Sequence, residues 1–333
     1  MPPLRRLILC ACAAAGFIGI AILLHHLAPL RVPEVTPKLS YLQSHLADFD
    51  TVFIGSSRIY HGFSPRLFDA ATAAAGKPTR TFNLAVNGLM PPESLHIART
   101  LLSMHPPRLR RIFLEIASSR GLPDAASPTV RDVYWQDPHA LIYGWQRALR
   151  DYQTTHRKDP LSHAWDDILR SARLFSRNQL NIGRLIPTPA FASLPPEKPA
   201  DAILGPDRDG YVPEDHPLTD PERRKLLVAI DAILTGAAKP DPHDPLNQQG
   251  YTRLRDLAAR QGVDLILVMA PVTTRDYHAS QDAPPGAKLL AFDDPARYPA
   301  LYDPAHRFDF DHLNAAGARI FSQALAQAYL SEQ

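Results

Sequence analysis

The stretch Thr51-Val52-Phe53-Ile54-Gly55-Ser56-Ser57-Arg58 decides how the rest of the chain reads. Its first four residues form an apolar, β-branched run of the kind that makes a buried strand. Gly55 to Ser57 end that run, and a helix is predicted soon after, over Pro65–Ala75, with Ser64 as cap and Pro65 in the first turn. Ser57 therefore sits at the carboxyl end of a strand, where open α/β sheets hold their ligands.

Working outward, strands and helices alternate. Thr81–Val86 reads as a second strand, Pro91–Met104 as a helix and Arg111–Ala117 as a third strand. The alternation resumes late in the chain with helices over Pro221–Leu234, capped by Asp220, and Leu246–Gln261, closed by Gly262. A fourth strand over Val263–Ala270, a short fifth over Lys288–Phe292 and a final helix over Asn314–Leu330 follow. Such alternation predicts an α/β domain with a parallel sheet covered on both faces. A short helix over Tyr41–Asp48 leads into the first strand, after a proline-marked spacer.

Between the third and fourth strands the pattern breaks. Residues 120–220 read as an insertion with two helical stretches, Pro138–Tyr152 and Leu161–Leu180, and then a loop. Nine prolines between Pro187 and Pro221 mark that loop as irregular, and a loop so long inside a compact domain usually covers or binds something. Trp135, Trp145 and Trp165 could stack on sugar rings, but their near-helical spacing among apolar residues favours core packing.

Leu7 to Leu24 carry no charge, about 18 residues and just enough to cross a bilayer as a helix. Arg5 and Arg6 precede them, which orients the amino terminus to the cytoplasm. No clean small-x-small site follows, so an uncleaved anchor is expected rather than a removed signal peptide. The expected organisation is an anchor over 1–30, a linker over 31–48 and one domain over 49–330, exported to a periplasm or cell surface. Both cysteines, Cys10 and Cys12, lie in the apolar segment, which leaves the exported body without disulfides. Arg5 and Arg6 also account for the whole formal charge of +2, and a neutral body offers nothing for nucleic acid to bind.

Near the end of the chain, Asp309-Phe310-Asp311-His312 sets an acid and an imidazole three residues apart. A serine hydroxyl needs a base within hydrogen-bond reach, and that base needs an orienting group. Ser57, His312 and Asp309 supply these parts, with Asp311 second to Asp309 for the orienting role. Oxyanion donors could come from the Ser57 amide, from Gly88 and Asn87 after the second strand, and from Ser118 or Ser119 after the third. Arg58 could bind a substrate carboxylate or phosphate, or pair with an acid such as Glu115. Capping of the last helix is the plain alternative for Asp309 and His312. With His306 and Asp311 they also offer metal-ligand types, but no second cluster supports a metal and no cofactor is expected.

The order of elements resembles the SGNH, or GDSL, hydrolases. In that family a Gly-x-Ser motif after the first strand carries the nucleophile. A glycine after the second strand and an asparagine after the third build the oxyanion hole, and Asp-x-x-His precedes the last helix. Gly55-Ser56-Ser57, Gly88 and Asp309-x-x-His312 match these blocks, and His312-Leu313-Asn314-Ala315-Ala316-Gly317-Ala318 resembles the tail after the family histidine. Glu115-Ile116-Ala117-Ser118-Ser119-Arg120 departs from the third block, leaving Ser119, Asn87 or nothing as its donor. The resemblance implies a flavodoxin-like three-layer fold and a serine esterase or acyltransferase working through an acyl-serine. Members with one amino-terminal anchor resemble proteins that handle acyl groups of envelope polymers, such as the D-alanyl transfer protein of teichoic acids and the O-acetyl-transfer proteins of alginate and cellulose. The implied partners are an acylated polysaccharide or acyl donor, and a multi-spanning membrane O-acyltransferase. A catalytically inactive module that binds glycan or docks on such an enzyme is the other expectation.

Overall fold

The computed structural model describes residues 3–27, 29–119, 121, 123, 128–154, 159–180, 198–239, 242–273 and 279–332. In chain order its main elements are α1 (Pro3–Leu27), α2 (Val35–Ser44), β1 (Thr51–Ile54), α3 (Ser57–Gly62), α4 (Pro65–Ala74), β2 (Thr81–Asn83), α5 (Glu93–Ser103), β3 (Arg111–Glu115), α6 (Pro138–Thr154), α7 (Pro160–Gln179), α8 (Asp220–Leu234), α9 (Pro245–Arg260), β4 (Asp264–Met269), β5 (Lys288–Ala291) and α10 (Ala315–Ser331). They fall into two compact units, residues 1–32 with 121–197, and residues 33–120 with 198–333.

The second unit is built on a five-stranded sheet of order β2-β1-β3-β4-β5, parallel throughout. From β1 the chain steps outward to β2, then returns past β1 to β3. Right-handed crossovers send the helices of those two connections to opposite faces. Accordingly α4 packs with α10, and α5 packs with α9. The sequence explains why both faces close. Phe53 and Phe113 are register partners whose rings stack 4.3 Å apart, and Phe68 of α4 and Tyr329 of α10 meet Phe113 edge-on at 5.6 and 5.5 Å. The strand order reverses between β1 and β3, and the carboxyl ends at such a switch point are where doubly wound sheets bind ligands.

Several boundaries differ from those expected. The predicted linker over 31–48 instead contains α2, which starts at Val35 and belongs to the sheet unit. Its Lys38 is fully buried, with Nζ donating to the carbonyls of Asn83, Ala85 and Gly210 at 3.1, 2.5 and 2.7 Å and lying 3.6 Å from the centre of the Tyr60 ring. A hydropathy reading places lysine outside. Here three carbonyls and an aromatic face replace its water, while burial still pulls its pKa well below the ordinary lysine value.

The expected insertion over 120–220 also divides. Residues 187–197 of its proline-rich loop lie outside the described residues, and the remainder belongs to the sheet unit. There Asp209 accepts a 2.7 Å hydrogen bond from the Asn83 amide on the outer edge of β2. Gly210, at φ +88°, permits this approach, since a Cβ would lie 2.0 Å from the Asn83 carbonyl oxygen. The segment thus covers a sheet edge. Thr219, not Asp220, caps α8.

The first unit joins α1 to a pair of packed helices, α6 and α7. Residues Leu4–His25 of α1 form a run of 22 containing an 18-residue window of mean hydropathy 2.7, long and apolar enough to cross a membrane. Trp135 is buried as expected, but Trp145 and Trp165 are exposed rather than packed in a core.

Lys38→Met tests the buried ammonium. It leaves three carbonyls without a donor, at about 1–3 kcal/mol each. Thermal or denaturant unfolding in detergent should show a loss of about 3 kcal/mol or more; an unchanged midpoint contradicts this role.

Candidate active site

Ser57 is placed by its neighbours in sequence and by β3. Beyond Ile54 the chain stays alongside the segment after β2, with the Val86 amide donating to the Gly55 carbonyl at 3.0 Å. It then turns directly into α3, a helix too short for its apolar period to show in the sequence. Ser56 is the cap, accepting from the Arg58 amide at 3.3 Å, and Ser57 is the first helical residue. Gly55 has to be glycine, because a Cβ there would lie 2.7 Å from Glu115 Oε2 and 2.6 Å from Ile59 Cγ1.

Glu115 fills that space. Buried at the end of β3, its carboxylate accepts from the Ser56 amide and pairs with Arg58 at 3.4 Å. Arg58 in turn donates to Asp311 at 3.0 Å, and Asp311 accepts from the Thr273 amide at 3.3 Å. A buried chain of charge therefore joins the ends of β1, β3 and β4 to the loop that carries His312. Two carboxylates already pair with Arg58, so the anion expected from a ligand is supplied by the protein itself.

That loop is held from below as well. Arg307 is buried and donates to the carbonyls of Leu301 at 3.0 Å, and of Phe310 and Pro271 at 3.3 Å each. Thr273 Oγ1 donates to the Phe310 carbonyl at 2.6 Å. At the far end Asn314 caps α10, accepting from the Gly317 amide at 3.0 Å. The cap belongs to Asn314, so Asp309 and His312 are left for other contacts.

Those contacts bring three of the sequence-predicted residues together. Ser57 Oγ lies 2.7 Å from His312 Nε2. His312 Nδ1 lies 2.9 and 2.8 Å from the two oxygens of Asp309. Asp309 Oδ1 also accepts from the amides of Asp311 and His312, each at 2.8 Å. Burial alone pushes the Asp309 pKa up, but the His312 ring and these amides outweigh it and hold the acid below its ordinary value. A folded pKa below the unfolded one contributes stability above the unfolded value, and that contribution disappears as pH falls through the folded value. Asp309 is thus a carboxylate across the neutral range, the form that keeps a proton on Nδ1 and leaves Nε2 to accept from Ser57. Phe308 stacks on the imidazole, 5.3 Å between ring centres and 10° from parallel, and limits its rotation.

The expected oxyanion donors have separate placements. The Ser57 amide opens α3, where helix amides lack intrahelical acceptors. Gly88 occupies the turn after β2 at φ +62°. Asn87, beside it, donates Nδ2 to Glu34 at 2.8 Å, while its Oδ1 faces His61 Nε2 at 3.2 Å. Ser119 Oγ lies 3.0 Å from Asp244 Oδ2 and 2.6 Å from Asn247 Oδ1, within hydrogen-bond reach of both, which ties the end of β3 to the start of α9. Among the described residues, no group of three or more metal-binding side chains forms, His306 and Asp311 included.

Sequence reasoning passed over His61, Arg307 and Phe308. His61 lies four residues after Ser57, a helical spacing that becomes legible only once α3 is known. Arg307 gave no signal, because a charged residue reads as exposed. No protein-family model and no curated protein matches this chain.

Glu115→Ala should destabilise the sheet unit by about 1–3 kcal/mol, because it leaves the buried Ser56 amide without its acceptor and removes one of the two carboxylate partners of Arg58. His312→Ala, at a partly exposed position, should leave the unfolding midpoint nearly unchanged. Equal midpoints for the two variants would refute the bracing role of Glu115.

Proposed function

We propose that this protein is a membrane-anchored serine esterase or acyltransferase of the SGNH type, with a flavodoxin-like three-layer catalytic domain outside the cytoplasm. The observation that carries this reading is the continuous relay from Ser57 through His312 to Asp309 at the switch point of the sheet. The strand order and the one apolar helix near the amino terminus agree with it.

In the first step Ser57 Oγ attacks the carbonyl carbon of an ester while His312 Nε2 takes its proton. The second ring proton stays on Nδ1, facing Asp309, whose charge stabilises the imidazolium. The Ser57 amide and the Gly88 amide are the donors this reading assigns to the developing oxyanion, each such donor supplying about 3 kcal/mol. Collapse of the tetrahedral intermediate expels the alcohol, which leaves with the proton from His312, and the acyl group remains on Ser57. An incoming hydroxyl then gives its proton to His312 and takes the acyl group, and Ser57 recovers its proton. Water gives hydrolysis; a sugar hydroxyl gives transfer. The acyl group is read as acetyl and the acceptor as an extracytoplasmic polysaccharide, handled beside a multi-spanning O-acyltransferase. These last assignments rest on the family resemblance.

One observation favours a second reading, a non-catalytic module that binds glycan or docks on a membrane enzyme. The side chains of Asn87 and Ser119, both candidates for an oxyanion donor, already hold other partners.

A serine-reactive fluorophosphonate separates the two readings. The enzyme reading expects labelling of the full chain in detergent that disappears in Ser57→Ala and in His312→Ala. A folded protein that stays unlabelled supports the module. With an activated acetyl ester as substrate, Asp309→Asn should lower kcat about 10⁴-fold, as expected for an imidazole held in the wrong tautomer. Undiminished kcat would remove Asp309 from the relay.

A further inference from the structure

The helical unit buries several small residues and exposes several large apolar ones. The buried residues are Ala140, Tyr143, Gly144 and Ala148 on α6, and Ala164, Ser171, Leu174 and Asn178 on α7, so five of the eight are small. Six large apolar residues point outward. On α6 these are Ile142, Trp145, Leu149 and Tyr152, which are 46%, 40%, 54% and 44% exposed. At about 100° per residue they fall within one arc of about 80°. On α7, Leu161 and Trp165, 67% and 59% exposed, lie one turn apart on one face. A water-facing helical pair puts such residues in the seam. Small residues between helices and large ones outside is the arrangement suited to lipid.

What lies against this stripe is indicated by its connection to α1. The apolar run of α1 ends at His25, whose Nδ1 lies 3.2 Å from the carbonyl oxygen of Asn178 at the end of α7. Five residues further on, Leu30 packs against Val133 and Leu174. The helical pair is therefore tied to the chain where it leaves the hydrocarbon, and Trp165 is only about 20 Å along α7 from that contact. Tryptophan and tyrosine are the side chains that collect at the boundary between lipid headgroups and acyl chains. Charges on the flanks of the stripe pair with one another, as in Arg150–Asp151 at 3.2 Å and Arg170–Asp167 at 3.7 Å, so the attraction is apolar rather than electrostatic.

We infer that the α6–α7 pair is a second membrane contact: it lies on the bilayer beside α1 with Ile142, Trp145, Leu149, Tyr152, Leu161 and Trp165 in the headgroup–acyl boundary. The inference rests on α1 crossing the membrane, and not on the acyl-transfer chemistry. It accounts for six large apolar side chains left exposed on one pair of packed helices.

The test uses the full chain in phosphatidylethanolamine–phosphatidylglycerol vesicles, with acyl chains either ordinary or brominated close to the headgroup. Bromine quenches tryptophan at that depth, and the chain's three tryptophans are Trp135, Trp145 and Trp165. The native protein should float with the vesicles and lose much of its emission in the brominated lipid. A Trp145→Phe, Trp165→Phe variant, changed only at exposed positions, should float equally and show little loss, since Trp135 is buried. Flotation with native emission unchanged by bromine overturns the inference and leaves a protein partner as the occupant of the stripe. Failure to float overturns the anchor and this inference with it.

Discussion

The buried carboxylate of Glu115 holds the candidate site together. It occupies the space that Gly55 vacates, accepts the Ser56 amide and pairs with Arg58, which reaches on to Asp311. Three strand ends and the His312 loop thus share one ion network. Such networks carry a high desolvation cost, and a hydrophobic cluster often gives equal stability. What this one supplies is position. It fixes the first turn of α3 and the residue next to His312, so that a hydroxyl and an imidazole 255 residues apart meet at 2.7 Å.

Around this brace the parts have separable duties. Asp309 sets the charge and tautomer of the ring, while Phe308 sets its plane. Arg307 and Thr273 hold the loop by its carbonyls and touch neither Ser57 nor the ring. The side chains closest to the chemistry are partly open to solvent, whereas those that position them are buried. A site that stays open to solvent while keeping a rigid geometry needs that division.

The sheet was legible because its strands are short apolar runs between turn residues, and the 51–57 stretch placed Ser57 correctly at a strand end. Asp309 and His312 were legible because three-residue spacing before a helix is a local signal. The supporting residues were not. Lys38 and Arg307 are fully buried cations, and no periodicity reveals a charge that finds its carbonyls across the fold. Helix α3 has only six residues, less than two turns. The tryptophans misled for the opposite reason: helical spacing shows that residues share a face, but not whether that face meets a core, water or lipid.

The account depends most on Ser57 carrying an acyl group during turnover. Mixing the full chain with an activated acetyl ester, stopping in acid within the first turnovers and mapping the peptides by mass spectrometry tests this directly. The predicted result is an acetyl group on Ser57 that accumulates in the native protein and is absent from His312→Ala. Ester turnover with no adduct at Ser57, or with an adduct on another residue, would contradict it.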